Sequence, residues 1–136
     1  MTRDRFEQGM TARQYLAQMV TNKERFVRAL DDLTLGPGDV AVLERFGPAR
    51  KILVLTEDWC GTSLAALPFV LKLAAGDSRV ELRVFLREEN PDLMDQYLKH
   101  GLYRAIPVVV FLDENLRELA RFIERRPGEN PEMKPL

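Results

Sequence analysis

The sequence predicts a domain of the α/β class, and three neighbouring stretches carry that prediction. Residues 52–55 form a continuous apolar run that is too short for a typical helix and suits a strand covered on both faces. Residues 64–74 are rich in good helix formers, and Gly76 ends the run. Residues 80–84 alternate apolar and charged side chains, as a strand with one covered face does. Strand, helix and strand within about 35 residues predict a βαβ unit with two parallel strands.

The first fifty residues predict three helices ahead of this unit. Thr11 is a candidate N-cap for a helix that runs to about Val20. Residues 21–24, Thr-Asn-Lys-Glu, fit a capping box and predict a second helix. Asp39 begins a third, short helix, which Gly-Pro at residues 47–48 ends. The apolar stripes of these helices either cover one face of the sheet or form a homodimer interface.

The chain beyond the βαβ unit predicts one more helix and a further strand. Residues 90–92, Asn-Pro-Asp, are a compact helix start, with a cap, a proline in the first turn and an acid near the N-terminus. This helix is expected to end at Gly101, with His100 as a capping residue near its C-terminus. Residues 105–112 predict a buried strand, and residues 116–123 predict either a last strand or the start of a helix.

The only cysteine of the chain, Cys60, stands between the first strand and the helix that follows it. It is therefore expected at a helix N-terminus, where unpaired backbone N–H groups and the positive end of the helix dipole favour an anion. A thiol at such a place favours the thiolate, which is the nucleophilic form. Glu57 and Asp58 oppose this effect, but a solvated carboxylate about 6 Å away is worth only ~0.7 kcal/mol. The helix end is expected to dominate.

The residues around this cysteine resemble those of a known family. Residues 59–63, Trp-Cys-Gly-Thr-Ser, resemble the thioredoxin active-site motif Trp-Cys-Gly-x-Cys, with Ser63 in the place of the second cysteine. Pro68 matches the proline that lies eight residues after the first cysteine of thioredoxins and kinks the active-site helix. Residues 106–111 are similar to the segment in which thioredoxins carry a cis-proline facing the active cysteine, and that proline is here Pro107.

The resemblance covers about residues 51–122 and implies a fold. The implied fold is a thioredoxin-like three-layer α/β/α arrangement, with a central mixed sheet of about four or five strands and extra N-terminal helices. One domain over residues 1–136 is expected, since no linker or repeat interrupts the chain. It divides into an N-terminal helical segment at 1–50, a thioredoxin-like core at 51–124 and a tail at 125–136.

The departures from the family pattern bear on the chemistry. Thioredoxins usually bury an aspartate six residues before the first cysteine, and Val54 stands there instead. With a single cysteine, the chain cannot close an intramolecular disulfide. The resemblance then implies monothiol thiol–disulfide exchange at Cys60, with protein thiols or disulfides, or a small thiol such as glutathione, as partner and external resolving thiol. The candidate catalytic residues are Cys60 and Ser63, and the candidate partner-binding residues are Trp59, Gly61, Thr62, Ile106 and Pro107.

Two other functions compete with exchange. One is a redox-inactive thioredoxin-fold module that binds a protein through the groove between Trp59 and Pro107. The other resembles monothiol glutaredoxins, which hold an iron–sulfur cluster between two subunits with glutathione. Those proteins carry a Gly-Gly-Asp segment after the cis-proline strand, and residues 108–121 contain no glycine. That absence argues against a dedicated glutathione site.

Composition limits the classes of partner and cofactor. With 20 basic and 21 acidic residues among 136, the formal net charge is −1, so no nucleic acid or anionic membrane is expected as a partner. One cysteine and one histidine predict no zinc site in the monomer, and no cofactor is expected. The N-terminus lacks the apolar core of a signal peptide, so a cytoplasmic protein with a reduced thiol is expected.

Overall fold

The computed structural model describes residues 1–45 and 50–124, and of residues 42–45 it describes the backbone alone. Its α-helices are α1 Arg3–Glu7, α2 Ala12–Gln18, α3 Lys23–Asp32, α4 Pro37–Arg45, α5 Gly61–Ala75 and α6 Pro91–Met94. Its strands are β1 Lys51–Thr56, β2 Glu81–Leu86, β3 Val108–Leu112 and β4 Glu118–Ile123. A short 3₁₀ helix, Arg87–Glu89, follows β2.

Four strands of the described chain form one mixed sheet in the order β2-β1-β3-β4. Strand β1 is parallel to β2 and antiparallel to β3, and β3 is antiparallel to β4. The predicted βαβ unit is therefore confirmed, with α5 as the connection between the two parallel strands. All six residues of β1 are buried, as expected for a central strand covered on both faces.

Alternate strand residues face opposite sides of the sheet and build two cores. The first core lies between the sheet and helices α2, α3 and α5. Its members include Tyr15, Phe26, Val54, Leu67 and Val109. The second core lies on the other face with α1 and α6, and its members include Phe6, Leu53, Leu93, Tyr97 and Val110. Helices cover both faces, which confirms the predicted three-layer α/β/α architecture.

The N-terminal helices follow the prediction in part. Thr11 caps α2 in a full capping box, in which its side chain accepts from the Gln14 N–H at 3.2 Å and the Gln14 side chain accepts from the Thr11 N–H at 2.9 Å. Helix α1 was not predicted, and it buries Phe6 against the sheet. Tyr15 and Leu16 of α2 and Phe26 and Leu30 of α3 pack in the first core, so most of each stripe covers one face of the sheet, whereas Val20 and Val27 are exposed.

The predicted capping box at residues 21–24 is wrong. Asn22 is the N-cap of α3, but it has a left-handed backbone with φ of 63° and makes no side-chain cap. Its side-chain amide instead donates to the Asp58 carbonyl at 3.0 Å, which ties α3 to the loop before Cys60. Helix α4 begins at Pro37, ahead of Asp39, and its predicted end at residues 47–48 lies outside the described residues, as does the tail at 125–136.

The predicted helix from residue 90 to Gly101 is too long, because α6 ends at Met94. His100 and Gly101 have φ of 55° and 70°, values that a right-handed helix does not allow. The backbone of Lys99 instead pairs with Tyr103 in an isolated bridge. His100 therefore does not lie at a helix C-terminus. Of the two alternatives for residues 116–123, the strand is present as β4.

Candidate functional site

Cys60 is the N-cap residue of α5, where its place in the sequence predicts it. Its sulfur accepts a hydrogen bond from the Ser63 N–H at 3.4 Å, and its carbonyl accepts from the Leu64 N–H at 3.1 Å. The side chain is partly buried against the second core. The sulfur thus accepts from a first-turn N–H group that has no partner within the helix backbone, and it keeps some access to solvent.

The segment before β3 lies opposite this sulfur. The Ile106–Pro107 peptide bond is cis, and the Cys60 thiol donates to the Ile106 carbonyl at an Sγ–O distance of 3.7 Å. The carbonyl of Pro107 accepts from the Glu124 N–H at 3.0 Å, which joins this segment to the end of β4. Ile106 and Pro107 are both buried. The structure therefore brings the predicted residues at 60 and 106 into contact.

Ser63 points into the protein. Its hydroxyl oxygen accepts a hydrogen bond from the Thr56 hydroxyl at 2.7 Å, and both residues are buried. Burial raises the pKa of Tyr15 to about 12, and the Thr56 side chain lowers it by a smaller amount. Two buried, hydrogen-bonded hydroxyls therefore lie beneath the first turn of α5. The active-site motif includes only Ser63.

Thr56 and Tyr15 are the site residues that sequence reasoning missed. Thr56 gives a weak signal, because a hydroxyl follows four apolar residues at the carboxyl end of β1. Tyr15 gives none, since it stands in the apolar stripe of α2 like any core aromatic. Only the packing of α2 on the sheet brings it to the end of β1.

The other predicted residues next to Cys60 in the sequence, Trp59, Gly61 and Thr62, are exposed to solvent. Trp59 is 52% exposed, and the Arg87 guanidinium lies 5.0 Å from the centre of its ring. Gly61 and Thr62 are exposed on the first turn of α5, and a Cβ built on Gly61 meets no atom within 4 Å. An approaching molecule therefore finds an exposed indole and open space beside Cys60.

The two carboxylates before Cys60 are held by backbone N–H groups. Asp58 accepts from the N–H groups of Val20 and Thr21, both at 3.0 Å. Glu57 accepts from the Glu88 N–H at 2.9 Å. These bonds hold the loop between β1 and α5 from both sides. The two carboxylates accept from Val20, Thr21 and Glu88, and the Ser63 N–H donates to the Cys60 sulfur instead. The α2–α3 connection is thus part of the support of the site.

No three His, Cys, Asp or Glu side chains among residues 1–45 and 50–124 are placed to hold a metal ion. Over the same part of the chain, no helix is long and apolar enough to span a bilayer.

The protein has three α/β/α layers, a cysteine at the N-cap of the helix after β1, and a cis-proline segment facing that cysteine. These features together are those of the thioredoxin-like fold. The family model described as thioredoxin matches residues 9–133, and the chain belongs to this family. The match is longer than the resemblance over residues 51–122, because it includes α2 and α3. The family therefore takes in the helices that hold the loop before Cys60.

Solved structures show the same fold at low sequence identity. A Pseudomonas aeruginosa protein of unknown function is 21% identical, with a TM-score of 0.74 over 93% of this chain and 79% of that chain. An HIV epitope-scaffold is also 21% identical, with a TM-score of 0.74 over 92% of this chain and 78% of that chain. No curated protein matches the chain.

Proposed function

We propose that this protein carries out monothiol thiol–disulfide exchange through Cys60. The observation that carries the proposal is the position of the sulfur, which in a thioredoxin-family chain accepts the Ser63 N–H at the start of α5. A helix N-terminus stabilises a negative charge, which a cysteine sulfur carries when it attacks a disulfide. Partial exposure of Cys60 supports access by a second sulfur.

The reaction begins with attack of the Cys60 thiolate on one sulfur of a partner disulfide. A new disulfide bond forms between Cys60 and that sulfur, and the other half leaves as a thiolate, which takes a proton from water. Cys60 is oxidised and the departing half is reduced. Because the chain has one cysteine, an external thiolate must then attack the partner sulfur of the mixed disulfide, which forms a new disulfide with that sulfur and releases Cys60 as a thiolate. A protein thiol or glutathione supplies that group.

The residues around the sulfur support the binding of such a partner. Trp59 offers an exposed apolar ring, and Gly61 and Thr62 leave the first turn of α5 open. On the other side, Ile106 places a carbonyl next to the sulfur. These groups could hold an extended segment across Cys60 while its disulfide meets the thiolate. The same exposed Trp59 favours the second candidate, a redox-inactive module that binds a protein through the groove between Trp59 and Pro107.

The proposal is tested by incubating the full chain with oxidised glutathione and following intact mass. We expect one glutathione per chain, released by added reduced thiol, because no second cysteine can displace it. The Cys60→Ser variant should take up none. The folded protein should form the adduct faster than the chain unfolded in urea. An equal or lower rate in the folded state would contradict exchange and favour the binding module.

A further inference from the structure

The turn before Cys60 is attached to the connection between α2 and α3 through Asp58. Residues 57–60 form this turn, which a hydrogen bond of 3.3 Å from its last N–H to its first carbonyl closes. One oxygen of the Asp58 carboxylate accepts from the N–H groups of Val20 and Thr21, both at 3.0 Å. A charged acceptor makes such bonds stronger than a neutral one. The Asp58 side chain therefore holds two consecutive N–H groups that follow the end of α2.

Asn22 binds the same turn instead of capping its own helix. Its side-chain amide donates to the Asp58 carbonyl at 3.0 Å, and α3 has no side-chain cap. Asparagine is among the best N-cap residues, and its left-handed backbone, with φ of 63°, is uncommon outside glycine. Departures of this kind from local preference gather at functional sites. Here the departure lies where α3 meets the turn before the thiol.

The turn determines where the sulfur lies relative to α5. Cys60 is the last residue of the turn and also the N-cap of α5, and its sulfur accepts from the Ser63 N–H at 3.4 Å. A hydrogen bond of this kind weakens quickly when donor and acceptor move out of line. Only Trp59, which is half exposed, separates Asp58 from Cys60. The bonds of Asp58 therefore bear directly on the place at which Cys60 enters the helix.

The charge of Asp58 is itself unfavourable for the proposed reaction. Asp58 precedes Cys60 by two residues, and a carboxylate repels the negative sulfur that attacks a disulfide. An asparagine at this position could accept from the same N–H groups without the charge, since its side-chain oxygen is also an acceptor. Any benefit of Asp58 to the thiol must therefore come from the geometry of the turn.

We propose that Asp58 is a positioning residue for Cys60, and that its bonds to residues 20–22 hold the turn so that the sulfur stays in line with the Ser63 N–H. The inference deepens the proposed function and rests on it in taking Cys60 as the reactive group. It gives the connection between α2 and α3 a part in the reactivity of the thiol. Asp58 acts through the backbone of the turn and against the effect of its own charge.

Two substitutions at Asp58 separate its geometry from its charge. Asp58→Asn removes the charge and keeps an acceptor, whereas Asp58→Ala removes both. The measurement is the rate of Cys60 alkylation by iodoacetamide in the folded full chain at neutral pH. We expect Asp58→Asn to react between the wild-type rate and about threefold faster, because a repelling charge is lost. Asp58→Ala should react at least about fivefold more slowly than the wild type, because the turn is released.

The opposite results are equally distinct. If the carboxylate only repels the sulfur, both variants react faster than the wild type, and that result overturns the proposal. An Asp58→Ala rate equal to that of the wild type overturns it as well. So does an equal loss in the two variants, because the amide of Asp58→Asn should preserve the turn.

Asp113→Ala is the matched control. One oxygen of the Asp113 carboxylate also accepts from two backbone N–H groups, those of Asn115 and Arg117, at 2.8 and 2.9 Å. Asp113 follows β3 at the end of the sheet opposite to Cys60. This variant loses the same kind of bonds and should keep the wild-type alkylation rate. Equal losses in Asp58→Ala and Asp113→Ala would overturn the proposal.

Asn22→Gly tests the same attachment from the other side. Glycine keeps the left-handed backbone and removes only the amide that holds the Asp58 carbonyl. The alkylation rate should fall, by about twofold or more, and an unchanged rate would overturn the proposal. Asn22→Gly together with Asp58→Asn decides the question if Asp58→Ala does not fold.

Alkylation needs no disulfide, so this experiment separates the positioning role from the exchange reaction. A wild-type chain that forms the glutathione adduct, with an alkylation rate that Asp58→Ala leaves unchanged, overturns the positioning role and leaves exchange standing. An alkylation rate that falls in Asp58→Ala and recovers in Asp58→Asn, in a chain that forms no adduct, supports the positioning role and overturns exchange.

Discussion

At the scale of single residues, Ser63 connects the buried interior with the Cys60 sulfur through two hydrogen bonds. Its hydroxyl is buried and accepts from Thr56, while its backbone N–H donates to the Cys60 sulfur. In the thioredoxin motif this position belongs to the second thiol. The same position in this chain therefore holds a buried, hydrogen-bonded hydroxyl in place of a second thiol.

Ser63→Cys should restore two-cysteine exchange, because residues 60 and 63 are already in contact across the first turn of α5. We expect the variant to reduce insulin disulfides and to oxidise to a monomer with an internal disulfide. Its free energy of unfolding should fall by about 0.5–1.5 kcal/mol, since a thiol bonds Thr56 less well than a hydroxyl does. The assay is insulin precipitation, with Ser63→Ala as the control. No gain in activity would mean that more than the second sulfur is missing, with Val54 the next residue to change.

At the scale of elements, one lysine adds hydrogen bonds between α3 and α5, which also pack together in the first core. Lys72, on α5, donates its ammonium protons to the carbonyls of Leu30 and Leu33 at the C-terminal end of α3, the first at 2.6 Å. Those carbonyls lack partners inside their own helix, and a positive charge there also suits the helix dipole. The Lys72 side chain therefore adds a polar connection between an N-terminal helix and the helix that Cys60 caps.

Lys72→Met should lower the free energy of unfolding by about 1–3 kcal/mol, because the carbonyls at the end of α3 lose a charged donor while the aliphatic stem stays. Urea unfolding followed by circular dichroism measures the change. Lys23→Met is the control, since Lys23 donates to the Ala17 carbonyl at an exposed place and at 3.4 Å. Its change should stay within about 0.5 kcal/mol. Similar losses in both variants would contradict the role given to Lys72.

The elements that the sequence predicted well are those with strong local patterns. The apolar run of β1, the helix formers of α5 and the cap of α2 at Thr11 are local features, and the structure has them where they were expected. The helix expected up to Gly101 failed because its start signal is local, whereas its early end depends on the bridge between Lys99 and Tyr103. The Tyr15–Thr56 contact joins residues far apart in sequence, so no local pattern could predict it.

At the scale of the whole molecule, the N-terminal helices and the thioredoxin-like core depend on each other. Tyr15 and Phe26 belong to the first core, and the N–H groups of Val20 and Thr21 hold Asp58 in the loop before Cys60. The family model likewise spans both parts of the chain. The division at residue 50 is therefore a boundary in sequence pattern, and contacts cross it throughout the described structure.

Tyr15 should make the stability of the whole protein depend on alkaline pH. Burial raises its pKa from 10.0 to about 12, so between these values the unfolded chain releases a proton that the folded chain keeps. The stabilising effect is complete below pH 10 and is lost as pH rises towards 12, at up to about 1.4 kcal/mol per pH unit. Urea unfolding of the wild type and Tyr15→Phe from neutral to alkaline pH measures it. The wild type should lose more stability than the variant, and parallel curves would contradict the assignment.

The exposed ring of Trp59 has an optical consequence. It is the only tryptophan of the chain, it adjoins Cys60, and the Arg87 guanidinium lies over it. Indole emission responds to the polarity and charge around the ring. All the tryptophan fluorescence of this protein therefore originates next to Cys60, and its intensity and wavelength are an intrinsic probe of binding or modification at the thiol.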